Sequence, residues 1–102
     1  MDRAPKISNL METIRKCIED GRYLDTRHAI QRQAERNVTR PEYIHALLNG
    51  YHEKRKDKFE EAYNAWNYSI RGKTIDAREL RIVVSFDENN MLIITAIDLS
   101  KN

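Results

Sequence analysis

Residues 27–50, RHAIQRQAERNVTRPEYIHALLNG, read as two short helices joined by a single turn. At about 100° per residue, His28, Arg32 and Glu35 share one sector of the first helix, with Arg36 at its edge. Ile30 and Ala34 point nearly the opposite way. The expected arrangement buries the Ile30/Ala34 side and presents an imidazole and two guanidiniums on the other. The second helix is punctuated at both ends. Thr39 and Glu42 have the T-x-x-E spacing of a capping box, and Pro41 lies in the first turn, where its missing N–H does no harm. Val38 and Tyr43 occupy hydrophobic-staple positions, Tyr43, Ile44, Leu47 and Leu48 form the apolar stripe, and Gly50 is the stop.

Upstream, residues 8–20 predict a first helix, with Ser8 as N-cap and Gly21 as stop. Ile7, Leu10, Met11, Ile14, Cys17 and Ile18 recur at helical spacing. Cys17 falls on that stripe and reads as a small core residue, not a reactive thiol. Gly21 to Asp25 is a connector, and Asp25 or Thr26 caps the helix carrying His28.

Downstream the period changes to two. Tyr51 to Lys56 reads as a short polar edge strand, and residues 57–63 carry no assignable pattern. From Ala65, Trp66, Tyr68 and Ile70 face one side, and Asn67, Ser69, Arg71 and Lys73 the other. Gly72 to Ala77 turns the chain, and Leu80, Ile82, Val84 and Phe86 alternate with Arg81, Val83 and Ser85. Asp87 to Asn90 makes a hairpin loop before the β-branched strand Met91 to Asp98. The sum is an α+β protein: two to three N-terminal helices on a three- to four-stranded antiparallel sheet. Helices cover one face, and Arg71, Lys73 and Arg81 lie on the open one.

With 102 residues, 33% of them charged and only three glycines and two prolines, the sequence describes one folded domain over 1–102. An N-terminal helix occupies 1–21 and the core 22–98. No apolar run reaches the roughly 18 residues of a membrane span, and the N-terminus lacks the apolar stretch of a secretory signal. A lone cysteine suits a reducing compartment, so the cytoplasm is expected. The net charge is only +2 but uneven: residues 22–56 hold eight Lys or Arg against four Asp or Glu, the remainder ten against twelve. A basic half on a nearly neutral chain suggests a surface for a polyanion, although charged helix faces of this kind are commonly only solvated.

No P-loop, dinucleotide fingerprint, nucleophile elbow or H-E-x-x-H is present. His28, His45 and His52 lack cysteine partners and the spacing of a zinc site, so neither metal nor cofactor is expected. What remains is imidazole plus cations: His28, Arg32 and Arg36 on a helix, Arg71 and Lys73 on a strand, with Tyr68 and Thr95 as further candidates. This set suits metal-free RNA cleavage, in which the 2′-hydroxyl attacks the adjacent phosphate. Histidine titrates near neutrality, and arginine's planar fork matches phosphate oxygens. The bland alternative is a surface of helix-face pairs such as Arg32 with Glu35.

The pattern R-H-A-x-x-R-x-x-x-R-x-V followed by E-Y-I-x-x-L-L-x-G resembles the bacterial family called domain of unknown function 4258. There a His opens a helix, an Arg follows one turn later and an E-R pair closes it; here these are His28, Arg32 and Glu35-Arg36. RIVVSFDENNMLIITAI resembles the family's closing hairpin, and the likeness covers about residues 22–98. NLMETIRKCIEDGRYLDTRHA is also similar to the opening of the motility quorum-sensing regulator toxins, which are RelE-like messenger-RNA cleaving enzymes. Their lysine–glutamine–tyrosine–lysine set is not matched as a whole; Tyr68 and Lys73 are its nearest stand-ins. These resemblances imply a RelE-like fold and a small, metal-free ribonuclease toxin that cuts single-stranded RNA and is held inactive by a cognate antitoxin. His28, Arg32, Arg71 and Lys73 would be catalytic, and Arg36, Trp66, Tyr68, Arg81 and Thr95 would bind RNA. The rival expectation is a non-catalytic module that binds RNA or protein through the same face.

Overall fold

A computed structural model describes residues 3–100. Helix α1 (Leu10–Glu19) leads into strand β1 (Tyr23–Asp25), followed by helices α2 (Arg27–Arg36) and α3 (Arg40–Asn49). Then come β2 (Tyr51–His52), β3 (Lys58–Glu60), β4 (Ala65–Lys73), β5 (Glu79–Phe86) and β6 (Met91–Asp98), with 3-10 turns at Lys54–Lys56 and Glu61–Tyr63. The strands run β1-β6-β5-β4-β2 across the sheet, and β3 also pairs with β4. All pairings are antiparallel except β1 with β6. The fold of the described residues is α+β, with six strands where the sequence suggested three or four.

The long strands obey their alternation. Tyr68 and Ile70 of β4, Leu80, Ile82 and Val84 of β5, and Met91, Ile93 and Ala96 of β6 are buried under the helices. Leu10, Ile14 and Cys17 of α1 and Tyr43, Ala46 and Leu47 of α3 complete this core. Gly50 and Gly72 let α3 lie directly on β4, since a Cβ at either would overlap the Ala46 carbonyl oxygen. The register slips between Val83 and Val84, where β6 accommodates an extra residue.

Local devices set the helix ends. The α3 capping box forms with both halves present, Thr39 N–H donating to Glu42 Oε1 at 2.8 Å. Thr26, not Asp25, caps α2, accepting from Ala29 N–H. At α1, Asn9 takes the cap position in place of Ser8 and makes no side-chain bond. Gly21, at φ 69°, turns the chain after α1 in a conformation that suits glycine.

Three further expectations differ from the structure. The connector before α2 contains β1, three residues that pair with Met91, Leu92 and Ile93. The polar run 51–56 is a strand only at Tyr51–His52, and residues 57–63 contain β3, held against Ala65, Trp66 and Asn67. The third concerns the orientation of α2. Ala29 is its buried residue, while Ile30 is 58% exposed and Ala34 is also exposed. The apolar pair points outward, and the neighbouring polar flank lies against the sheet.

Candidate functional site on the open sheet face

Taking Ala29 as the inward direction, Arg36, Arg32 and His28 lie about 20°, 60° and 100° to one side, and Gln33 about 40° to the other. The two flanks are anchored differently. Gln33 Nε2 donates to Asp25 Oδ1 at 3.1 Å, a carboxylate that also accepts from the Tyr43 hydroxyl and, at Oδ2, from Arg40 Nε at 3.1 Å. Arg36 Nη1 donates to Thr95 Oγ1 at 3.4 Å and to the Ala96 carbonyl at 3.2 Å. Asp25 therefore binds α2 to β1 and α3 on one flank, and Arg36 ties it to β6 on the other. Burial pushes the Asp25 carboxyl up, but hydrogen bonds from Tyr43, Arg40 and Gln33 outweigh it and hold the group below its ordinary value. The Tyr43 hydroxyl is raised by burial and by donating to Asp25, so it stays protonated.

Thr95 belongs to the face without helices. It pairs with Val83, and the next row on that face runs Ile97, Arg81, Arg71 across β6, β5 and β4. Arg36 thus sits at Thr95, one row from the row that holds Arg81 and Arg71, with Lys73 exposed beyond them at the end of β4. Two of these cations are already partnered. Arg81 Nε donates to Glu53 Oε1 at 2.9 Å, and Arg71 Nε donates to Glu79 Oε1 at 2.9 Å with Glu53 3.6 Å away. Glu53 is buried, and the hydrogen bond from Arg81 leads the causes that keep its carboxyl below the usual range. Among the described residues, Arg36 has no carboxylate within ion-pair distance. Arg32 pairs with Glu35 at 3.1 Å on the helix surface, as the bland reading anticipated. His28 is exposed in the first turn of α2, with no hydrogen-bond partner among the described residues.

Trp66 and Tyr68 are not on this face. Tyr68 is 3% exposed under the helices, its oxygen accepting from Ile7 N–H at 3.0 Å. Trp66 Nε1 donates to the Ala4 carbonyl at 2.8 Å, with Lys6 over its ring. Neither ring is presented to a base, and Tyr68 is too buried to touch a phosphate. Their alternation with Asn67 and Arg71 along β4 places them on the face opposite the cations. The three histidines likewise stand apart, His45 near Asn49 and His52 Nε2 donating to Asp57 Oδ2 at 2.7 Å. Asp57 is almost fully buried and also accepts from Lys6 Nζ and Ser69 N–H, a structural hub that the unassigned 57–63 pattern did not reveal.

A cavity of about 670 Å³ opens on the same face as the arginine row, beside the start of α2. Thr26 lines one wall and Tyr63 with Glu60 the other, over a floor including Asn67, Leu92 and Ile94. The description "Domain of unknown function (DUF4258)" matches residues 26–98, which run from the α2 cap to the end of β6. The chain belongs to the DUF4258 family. The DUF4258 span includes the whole α2 flank, the arginine row and this cavity, while α1 and β1 lie outside it. No curated protein and no solved structure is significantly similar to the chain. No helix of the described residues is long and apolar enough to cross a membrane.

Proposed function

We propose that this protein is a RelE-like endoribonuclease of the toxin type, acting on single-stranded RNA at the open sheet face. The observation that carries the reading is the rotation of α2. A helix that leaves Ile30 in water while its arginines lean on a sheet forgoes burial that an inward isoleucine would gain. Such an orientation makes sense where the polar flank has a ligand. In this reading Arg32, one turn from His28, holds the scissile phosphate, and Arg36, Arg81, Arg71 and Lys73 form the cationic track for the flanking phosphates. The 2′-oxygen forms a bond to phosphorus as the bond to the 5′-oxygen breaks. His28 either takes the 2′-hydroxyl proton or supplies one to the leaving oxygen. Arginine donors stabilise the charge gathering on the phosphoryl oxygens. A toxin of this class would be restrained by a cognate antitoxin.

The carboxylate partners of Arg71 and Arg81 favour one second reading, a non-catalytic module that binds RNA or protein, because neutralised guanidiniums stabilise a transition state less. Purified protein incubated with labelled single-stranded RNA in chelator separates the two. The nuclease leaves a 2′,3′-cyclic phosphate, and His28→Ala or Arg32→Ala slows cleavage about 10²-fold or more. Wild-type protein that binds RNA in a salt-sensitive way and releases it intact would establish the module instead. Cleavage unchanged in both variants would reject the site.

A further inference from the structure

We propose that the cavity beside α2 is a nucleobase subsite that selects guanine, a reading that rests on the RNA-binding function above. The cations and the cavity divide the open face into two chemically distinct ends. Arg81 and Arg71 occupy the row through Ile97, with Arg36 held at Thr95 beside it, whereas among the described residues no Lys, Arg or His lines the cavity; its charged lining residues are Glu60 and Asp87, and Lys58, which pairs with Asn67, stands outside the lining. A phosphate is repelled there, and a neutral planar base is not. Asn67 on the cavity floor and Arg71 in the row are four residues apart on β4, about 13 Å along the strand. A short single strand can therefore lay phosphate on one end and a base in the other.

The far wall supplies the two groups that a base needs. Tyr63 ends the Glu61–Tyr63 turn with 82% of its surface in solvent, an aromatic ring left uncovered at a cavity rim. It is the open-face counterpart of the stacking role that Trp66 and Tyr68, turned to the opposite face, do not fill. Glu60 stands three residues before it. One of its oxygens accepts from Ala62 N–H at 3.4 Å, and the other makes no hydrogen bond among the described residues. Carboxylates accept from base-edge donors, and guanine places N1–H and N2–H side by side, matching two acceptor oxygens. Uracil offers one such donor. Asn67, whose side-chain amide is uncommitted among the described residues, supplies the donor for guanine O6.

The test is fluorescence-anisotropy binding of four labelled RNA pentamers, UUXUU with X as G, A, C or U, to the full chain. A 2′-deoxy sugar at the cleavable positions keeps them intact. The G pentamer is expected to bind tightest, and Glu60→Gln removes its advantage over U. Tyr63→Ala weakens every pentamer with a purine at X by about 5- to 150-fold. Both side chains are exposed, so these variants keep the fold. Equal affinity for all four pentamers, or no change in Tyr63→Ala while Arg36→Ala weakens all of them, overturns the subsite and leaves the RNA-binding reading standing. Absence of binding by any pentamer to wild-type protein overturns both.

Discussion

Helices α2 and α3 are each ten residues long and adjacent in sequence, yet different forces set their orientation. Helix α3 lies on β4 with Tyr43, Ala46 and Leu47 turned in, so its rotation follows from apolar burial. Helix α2 buries only an alanine and is fixed by polar contacts on both flanks, Gln33 to Asp25 and Arg36 to β6. Where hydrophobic burial alone decides, a helix shows the sheet its apolar stripe. Where hydrogen bonds decide, the helix keeps polar groups against the sheet, and that is the side on which chemistry can occur.

The strongest challenge to this contrast is Asp25→Asn. The substitution leaves Tyr43 and Arg40 facing an amide in place of a carboxylate, with an expected stability loss of about 1–3 kcal/mol at pH 7. The pH dependence has a definite sign. Because the folded-state pKa of Asp25 lies below its ordinary 3.8, its stabilisation is present above 3.8 and is lost as pH falls through the folded value. Urea unfolding at pH 7 and at pH 3 should show a smaller acid loss in the variant than in wild type. Equal urea midpoints for the two proteins at pH 7 would mean that Asp25 does not anchor α2.

The smallest effect is expected at Ile30. With more than half its surface in water, Ile30→Ser should alter stability by no more than about 0.5 kcal/mol. A loss above 1 kcal/mol in the same urea assay would place Ile30 in a packed interface and remove the distinction between the two helices.

What the sequence revealed divides along the same line. The α3 capping box, the 87–90 hairpin loop and the alternation of β4 to β6 are encoded by neighbours in the chain, and reading those neighbours sufficed. Strand β1 has three residues and pairs with Met91–Ile93, nearly seventy positions away, so no local pattern announced it. The rotation of α2 is likewise decided by Asp25, Thr95 and Ala96, and helical periodicity pointed the wrong way. At the site, Arg71 and Arg81 were legible as open-face residues because strand alternation is strict. Their pairing with Glu53 was not, since Glu53 reaches them from beyond the β2 turn. Tyr63 escaped notice because its short turn carries no period.

The most direct test of the central claim is an amide chemical-shift map of the protein titrated with a short, non-cleavable single-stranded RNA. The perturbed amides are expected to cluster on His28 to Arg36 of α2 and on the Arg81 and Thr95 rows of the sheet, fading with added salt. Perturbations confined to α1 and α3, or none at saturating RNA, would contradict that claim.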